Sequence, residues 1–393
     1  MLVFALGALL TLSFVVAVYL SYFFLVLKNC NLTTKFQNEL LLAQSSSNSL
    51  PPVSIIVNAF NEAKIIARKL SNISKLNYPL DKLEILVIDD ASTDGTGGIA
   101  KNALIDLNLS GRVVENPTRL GLNRSLNIAL TQAKNNLVCI TDSDVMLEKE
   151  ALRRSVNVLL TMENAGGVTG NVQPLFEGNG VAQLNESAYR GFYHKSMLGE
   201  ASIHSAFPGN GPLIVYDKSL VPSLIPVDYG STDGDVAMNV IKSGHRFVYI
   251  PNAVILEPVP ENIGQQRLQK VRRAQRLIQV FLHNTDVFLN KKYGKFGQVV
   301  FPLKFLMVVV CPLLMLVGLS LFVVSFALSS NFWFQGVSVG GVIVVSCVVL
   351  VWADFAKMFS SFVFHQIYLL LGLVFSFRKS KYWKIIDRKK FEK

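Results

Sequence analysis

The chain reads as an α/β protein whose mostly parallel sheet is held between hydrophobic helices. Three observations predict this. Short apolar runs alternate with helical patterns from Val53 to Asp144, each run ends in polar or acidic residues, and both ends of the chain hold long stretches without charge. A strand–helix–strand series implies a parallel sheet, with ligand loops at the carboxyl ends of the strands.

Val53–Val57 is the first buried strand, followed by a helix over Glu62–Leu70. Leu83–Ile88 is the second, closing on Asp89-Asp90, and Thr93–Leu107 is helical. Arg112–Val114 forms a third strand and Leu122–Ala133 a further helix, leading to Leu137–Ile140 and then Thr141-Asp142-Ser143-Asp144. The helix signal Val236–Ile241 follows the acidic run Asp228–Asp235. No G-x-G-x-x-G or Walker loop follows the first strand, which argues against a dinucleotide fold and a P-loop ATPase.

A length of 393 residues allows two or three units, at about 150 residues each. The hydrophobic fraction of 51% is high for a soluble enzyme, and the excess lies at the ends. Leu2–Leu27 carries no charge over 26 positions and has no basic segment before it, so a retained transmembrane helix is expected over residues 1–30 in place of a cleaved signal. Polar residues 44–49 and Pro51-Pro52 mark a linker within 31–52, and the catalytic domain is expected over 53–260. Beyond Lys304, spans are read at Phe305–Ser330, Gly336–Trp352 and Phe359–Phe377, a C-terminal transmembrane region over 304–377.

The net charge of +11 is assigned to the membrane surface, with no nucleic-acid partner expected. Lys28 and Lys35 after the first span place the domain in the cytoplasm of a plasma membrane of prokaryotic type. The tail 378–393, with eight basic and two acidic residues, belongs on the same side. That requires one of the last three segments to be re-entrant or interfacial, unless the charge rule fails here. Gln265–Arg276 packs five Arg/Lys into twelve residues, with Leu268, Val271, Leu277, Ile278, Phe281 and Leu282 as an apolar stripe. It predicts amphipathic interface helices over 261–303. Cys30, Cys139, Cys311 and Cys347 have no paired spacing, so neither a disulfide framework nor a zinc site is expected.

Asp142 and Asp144 end a buried strand one residue apart and repel each other unless a cation lies between them. Mg²⁺ or Mn²⁺ suits such a pair, because both ions combine few carboxylates with substrate phosphates. Asp90 can accept from a nucleobase or ribose, with Ser92 or Asp94 capping the next helix. In Asp228–Asp235, one aspartate is expected to cap the helix, while another could deprotonate an acceptor hydroxyl. An arginine of the 265–276 run can fork onto diphosphate oxygens.

Together these residues resemble the family 2 glycosyltransferases of GT-A fold, in their membrane-embedded branch of cellulose-synthase-like and polyprenyl-phosphate-glycan enzymes. Phe60-Asn61-Glu62 is similar to that family's Tyr-Asn-Glu turn, with Asn58 where proline is usual. Asp89-Asp90-Ala-Ser-Thr-Asp94 resembles the nucleotide-binding loop, and Gly121–Asn127 resembles Gly-Lys-x-x-Ala-Leu-Asn with Leu122 for lysine. Arg119 or Arg124 is the candidate replacement. Asp142-Ser-Asp144 resembles the metal-binding Asp-x-Asp, Ser231-Thr232-Asp233 the Thr-Glu-Asp, and Gln269–Arg273 the Gln-x-x-Arg-Trp with Arg273 for tryptophan.

The resemblance implies Asp233 as general base, with Arg272 and Gln269 at the leaving diphosphate. It implies Ala59, Asn61, Glu62, Asp90, Arg119, Asp142 and Arg273 around the nucleotide sugar, and Asp144 with Asp142 on Mg²⁺ or Mn²⁺. The tryptophan forms part of an acceptor platform in polymer synthases. Its replacement and the small membrane part lead to the expectation of single-sugar transfer to a lipid phosphate, such as polyprenyl or dolichyl phosphate, or to a lipid-linked glycan. GDP-mannose is preferred over UDP-sugars as donor. The alternatives are a processive polysaccharide synthase and a non-catalytic membrane scaffold.

Overall fold

The computed structural model describes all residues except 33, 46–48, 176–180, 222–224, 259–262, 333, 337–352 and 378–393. The expected span at 336–352 and the basic tail thus lie almost wholly outside the described residues.

Among the described residues there are eight strands: β1 (Val53–Ala59), β2 (Leu83–Asp89), β3 (Gly111–Glu115), β4 (Leu137–Asp142), β5 (Met146–Leu147), β6 (Ala165–Leu175), β7 (Ile214–Asp217) and β8 (Arg246–Pro258). They form one sheet in the order β3-β2-β1-β4-β7-β6-β8-β5. The β3-β2-β1-β4 half is parallel; β7 runs antiparallel to both β4 and β6, and β5 antiparallel to β8. The sheet is therefore mixed, and mostly parallel where the sequence showed alternating strands and helices. In register, Ala59 lies beside Asp89 and Asn58 beside Asp142, so the ends of β1, β2 and β4 meet at one edge.

Both faces of the sheet are covered, which is why its central strands read as continuous apolar runs. Ile55 and Val57 face one core with Ile66, Leu70 and Ile73 of α3 (Ile66–Ser74) and Leu152 and Val156 of α6 (Ala151–Thr161). Ile56 and Ile140 face the other, with Leu126 of α5 (Leu122–Gln132), Val236 and Val240 of α8 (Thr232–Lys242), and Ile278 and Phe281 of α9 (Ile263–His283). Helix α4 (Thr96–Asp106) follows β2, and α7 (Val181–Ile203) follows β6.

Three expectations change in detail. The segment read as a linker contains helix α2 (Thr34–Ser45), whose Phe36, Leu40 and Ala43 are buried in the first core. The helix expected from Glu62 begins at Ile66, because Glu62 and Ala63 are drawn into hydrogen bonds with the loop after β2. Helix α9 is amphipathic as read, but its apolar side meets the protein: Ala274, Ile278 and Phe281 join the core, and Gly372 packs against Ala274.

Helix α1 (Leu2–Leu32) and a continuous helix over Phe296–Ala327 are long and apolar enough to cross a bilayer. The second starts earlier than the sequence indicated and includes α10 (Phe301–Phe305) and α11 (Cys311–Ala327), with π-turns before each. The π-turns precede Pro302 and Pro312, which cannot donate to the preceding turn. Gly318 lets α11 approach α1, since a Cβ there would stand 2.6 Å from Thr11 Oγ1. Close approach at small residues is how helices associate in lipid. Leu9, Leu10, Leu316 and Val323 point outward, unlike the face of a soluble core helix. Helix α12 (Ala353–Ser376) has a shorter apolar part, Ser360–Ser376, and packs on α9.

Candidate active site

The loops after β1 and β2 are laced into one unit. Asn61 N–H donates to Ser92 Oγ at 2.9 Å, and Thr93 N–H donates to Asn61 Oδ1 at 2.9 Å. Glu62 N–H donates to Thr96 Oγ1 at 2.8 Å, and Ala63 N–H donates to Asp94 Oδ2 at 3.0 Å. Asp94 Oδ1 also takes the Thr96 N–H at 3.1 Å, but the cap position of α4 is held by Gly95, without a side-chain cap, where Ser92 or Asp94 was expected. These bonds hold the Asp94 carboxyl below its ordinary range, against the opposing effect of burial. Asn61 and Ala91 take left-handed backbone conformations, φ 54° and 60°, which turn the chain sharply at both strand ends.

Asp90 is buried, and protein donors surround its carboxylate. Oδ1 accepts from Asn116 Nδ2 (2.9 Å), Leu120 N–H (2.8 Å) and Ser125 Oγ (3.0 Å), and Oδ2 accepts from Gly121 N–H (2.9 Å). A carboxylate offers about four lone-pair positions. Asp90 thus organises the 116–121 loop and the start of α5. Its own N–H donates to the Ala59 carbonyl at 3.0 Å, tying β2 to β1. Arg119, on the organised loop, lays its guanidinium 3.8 Å from the centre of the Phe60 ring.

Asp142 ends β4 and Asp144 follows in the turn, both partly exposed. Beside Asp142 in register, Asn58 has its amide nitrogen and oxygen buried without a hydrogen-bond partner. Among the described residues no cluster of three or more His, Cys, Asp or Glu could hold a metal. Asp142 and Asp144, the expected metal ligands, would give a site here two hard carboxylates. That fits Mg²⁺ or Mn²⁺ with the remaining ligands coming from diphosphate. Lys69 lies beneath the turn, fully buried, and no sequence signal had marked it beyond a charge on the apolar face of α3.

Asp233 stands in the first turn of α8, where the helix cap is Ser231, accepting from Gly234 N–H at 3.2 Å. The sequence had offered an aspartate for that cap. Burial pushes the Asp233 carboxyl up, against hydrogen bonds from Ser231 and Gly234 and the pull of Arg273. Asp235 is pushed up to about 8 by burial and by the neighbouring Asp233, with Arg276 opposing. Thr232 donates to Asn123 Oδ1 at 2.8 Å, so the start of α8 is joined to the start of α5.

Helix α9 brings Gln269, Arg272, Arg276 and Gln279 along one stripe, at spacings of three and four residues. Arg276 Nη1 donates to the Gly230 carbonyl at 3.3 Å and Gln279 Oε1 accepts from Gly230 N–H at 3.1 Å. Gln279 Nε2 donates onward to the Ser376 carbonyl of α12 at 2.9 Å. Arg273 pairs with the buried Glu257 at 3.1 Å, and Glu257 also takes Arg190 at 2.7 Å. A small depression lies between the α5 start and the 227–230 loop, lined by Gly121, Asn123, Arg124, Val227, Gly230 and Arg276. Arg276, Gln279 and Glu257 escaped the sequence reading. Arg276 and Gln279 were visible only as a continued helical stripe.

The sheet edge thus gathers Ala59, Asn61, Glu62, Asp90, Asp142 and Asp144, with Arg119 over the Phe60 ring, while Asp233 lies at the start of α8 and Arg272, Arg273 and Arg276 lie on α9. Proteins of known class share this architecture. A mannosyltransferase from Pyrobaculum calidifontis, solved in complex with GDP-Man and Mn²⁺, superposes with a TM-score of 0.71 at 22% identity, over 93% of this chain and 98% of its own. The Bacillus subtilis (strain 168) protein named "Probable glycosyltransferase YdaM" is 29% identical over 163 residues, 41% of this chain and 39% of its own. The Staphylococcus epidermidis poly-β-1,6-N-acetyl-D-glucosamine synthase is 26% identical over 255 residues, 63% of this chain and 60% of its own. The aligned part of this chain therefore spans about two-fifths to three-fifths of those two curated relatives. The description "Glycosyl transferase family 2" matches residues 54–213. The chain carries a glycosyl transferase family 2 domain on a GT-A fold.

Proposed function

We propose that the protein is a membrane-bound inverting glycosyltransferase that moves one sugar from a nucleoside-diphosphate sugar to a lipid-linked acceptor. Asp233 carries this reading: it is a carboxyl raised by burial, beside Arg273, on a helix tied through Asn123 to the loop that Asp90 organises. A raised carboxyl is a stronger base once ionised, which suits removal of a hydroxyl proton. A lipid phosphate arrives ionised and needs no such base. Of the two acceptor classes, the hydroxyl of a lipid-linked glycan is therefore favoured over polyprenyl or dolichyl phosphate.

In this mechanism the acceptor oxygen bonds to the anomeric carbon as the carbon–oxygen bond to the diphosphate breaks, and Asp233 takes the acceptor proton. Arg272 and Gln269 meet the leaving diphosphate from α9. Ala59, Asn61, Glu62 and Arg119 frame the nucleoside, and Asp90 acts by holding the loop that carries Arg119. Asp142 and Asp144 would hold Mg²⁺ or Mn²⁺, whose charge neutralises the diphosphate. Positioned charge of this kind is the usual source of rate in such transfers.

The outward-facing apolar surfaces of α1 and α11 support a membrane location, and Lys28 and Lys35 after the first apolar run favour the cytoplasmic side of a plasma membrane for the catalytic domain. GDP-mannose is the first donor to test, given the fold shared with a protein that binds it. A thermal-shift screen with GDP, UDP and their sugars plus Mn²⁺ identifies the donor. Asp233→Asn is expected to keep donor binding and abolish transfer of labelled sugar to extracted lipid. Transfer near the wild-type rate would remove Asp233 as the base. The match to poly-N-acetylglucosamine synthases favours a second reading, processive synthesis. A ladder of products on a gel, in place of one added sugar, would establish it.

A further inference from the structure

Residues 141–147, the turn that carries Asp142 and Asp144, are gripped from below by one face of α3. Lys69 is 0% exposed. Its Nζ donates to Thr141 Oγ1 at 2.8 Å and to the Val145 carbonyl at 2.9 Å, one on each side of the aspartate pair. One helical turn on, Asn72 donates to the Leu147 carbonyl at 2.9 Å and accepts from Leu147 N–H at 2.9 Å.

Both hydrogen-bond acceptors of the ammonium are neutral, so they do not balance its charge. An isolated buried ammonium is costly, and the other buried residues of α3, Ile66, Leu70 and Ile73, are apolar. The groups that attract the charge are Cys139, Asp142 and Asp144. Burial pushes the Cys139 thiol up to about 12, so near neutral pH it is uncharged. Asp142 and Asp144 are left as the counter-charges. Burial lowers Lys69 to about 8, against the pull of these groups.

We propose that Lys69 is a positioning residue for the Asp142–Asp144 turn and that its ammonium cancels one of the two carboxylate charges. The site then takes a divalent cation together with a diphosphate more readily than the cation alone. The inference rests on the reading of Asp142 and Asp144 as the metal pair. The charge balance is direct. Two carboxylates and one ammonium sum to minus one, which a divalent cation overturns to plus one, and a diphosphate brings the sum back to neutral or below. Without the ammonium the pair alone matches the cation. Lys69 therefore weakens solitary metal binding while holding the turn in shape, and the two effects can be separated.

The test is Mn²⁺ binding to the full-length protein in detergent, followed by electron paramagnetic resonance, with and without GDP or UDP. Wild-type protein is expected to bind Mn²⁺ weakly alone and at least about tenfold more tightly with the nucleotide, a coupling that must be reciprocal. Lys69→Gln keeps a donor but removes the charge, and should bind Mn²⁺ alone about fivefold more tightly with a smaller coupling. Lys69→Arg keeps the charge and should retain the wild-type coupling. The proposal is overturned by wild-type protein without coupling, by K69Q with wild-type affinities, or by K69Q weakened equally in both conditions, the mark of a purely structural role. If K69Q fails to fold while K69R folds, K69R carries the test, and its loss of the wild-type coupling overturns the proposal. If neither folds, packing holds the turn and the charge argument falls. Wild-type protein that binds no Mn²⁺ in either condition removes the metal reading itself. Coupling in the wild type with an unaltered K69Q removes only the role of Lys69.

Discussion

The Thr232 hydroxyl donates to Asn123 Oδ1 at 2.8 Å, and this bond joins the helix that carries Asp233 to the helix that begins at the Asp90-held loop. Asn123 Nδ2 also donates to the Pro226 carbonyl at 2.6 Å, and Asn127 exchanges two hydrogen bonds with Ile225. The general-base candidate is thus registered against the nucleotide side through side chains of α5. Thr232→Val removes the Asn123 bond while keeping shape. A stability loss of about 1 kcal/mol is expected from one lost hydrogen bond. Steady-state kinetics should show kcat falling about tenfold with the donor KM nearly unchanged, because only the acceptor side shifts.

Gly230 is the tightest point of the acceptor-side loop. Its φ is +74° and a Cβ would stand 2.0 Å from Asp235 Oδ2, while its N–H and carbonyl are both held by α9. Gly230→Ala combines backbone strain with a steric collision and should cost about 3 kcal/mol or more. Gly95 provides the control, since its φ is +86° but nothing lies within 4 Å of the Cβ position. Gly95→Ala should cost about 1–2 kcal/mol. Thermal denaturation of both variants checks the order, and equal losses would show that the Asp235 contact contributes nothing.

The pH dependence of stability should carry the mark of Asp235. Its carboxyl is raised from an ordinary 3.8 to about 8, first by burial and then by Asp233. A raised folded-state value means that the native protein holds a proton the unfolded chain has lost between these limits. The associated stability is complete below about pH 4 and is lost as pH rises through 8. Asp235→Asn has no proton to lose. Melting curves from pH 5 to 9 should therefore show the wild type losing ground steadily against D235N. A constant gap would contradict the assignment.

Glu257 accepts from Arg190 and Arg273 with both its oxygens, and it is 4% exposed. Glu257→Gln leaves the mostly buried Arg190 without its counter-charge, at a cost of about 3 kcal/mol. It also releases Arg273 from the position it holds beside Asp233. Activity should therefore fall further than in Arg273→Ala, which leaves the Arg190 pair intact. Matching activity losses in the two variants would mean that Glu257 acts only through Arg273.

A buried polar junction ties the apolar helix α1 to the α/β domain. Glu200 Oε1 of α7 accepts from the Tyr22 hydroxyl of α1, and Lys304 Nζ of α10 lies 2.7 Å from the same oxygen and 2.9 Å from Oε2. Phe207 N–H donates to Oε2 at 3.0 Å. Glu200→Ala leaves Lys304 buried without a counter-charge, a loss of about 3–5 kcal/mol. Limited proteolysis should then release the catalytic domain from the helices sooner than in wild-type protein. An unchanged cleavage rate would show that apolar packing alone holds the junction.

Strand alternation, motif order and charge-free runs determined much about this protein before any coordinates. The apolar runs ending at Asp90 and Asp142 specified parallel strands and the sheet edge that carries the candidate site, because strand burial and loop position are written locally. The uncharged stretches likewise specified two helices long and apolar enough to cross a membrane, Leu2–Asn29 and Phe296–Ala327. Tertiary structure decided what depends on pairing across distance. It seated α2 in the core where the polar flank read as a linker. It gave the α8 cap to Ser231, and filled the lone pairs of Asp90 with Asn116, Leu120, Gly121 and Ser125. It placed Lys69 beneath Asp142 and Asp144, although 72 residues separate Lys69 from Thr141. Hydrogen bonding and charge compensation join residues that are remote in sequence, and no local pattern of periodicity or spacing records such partners.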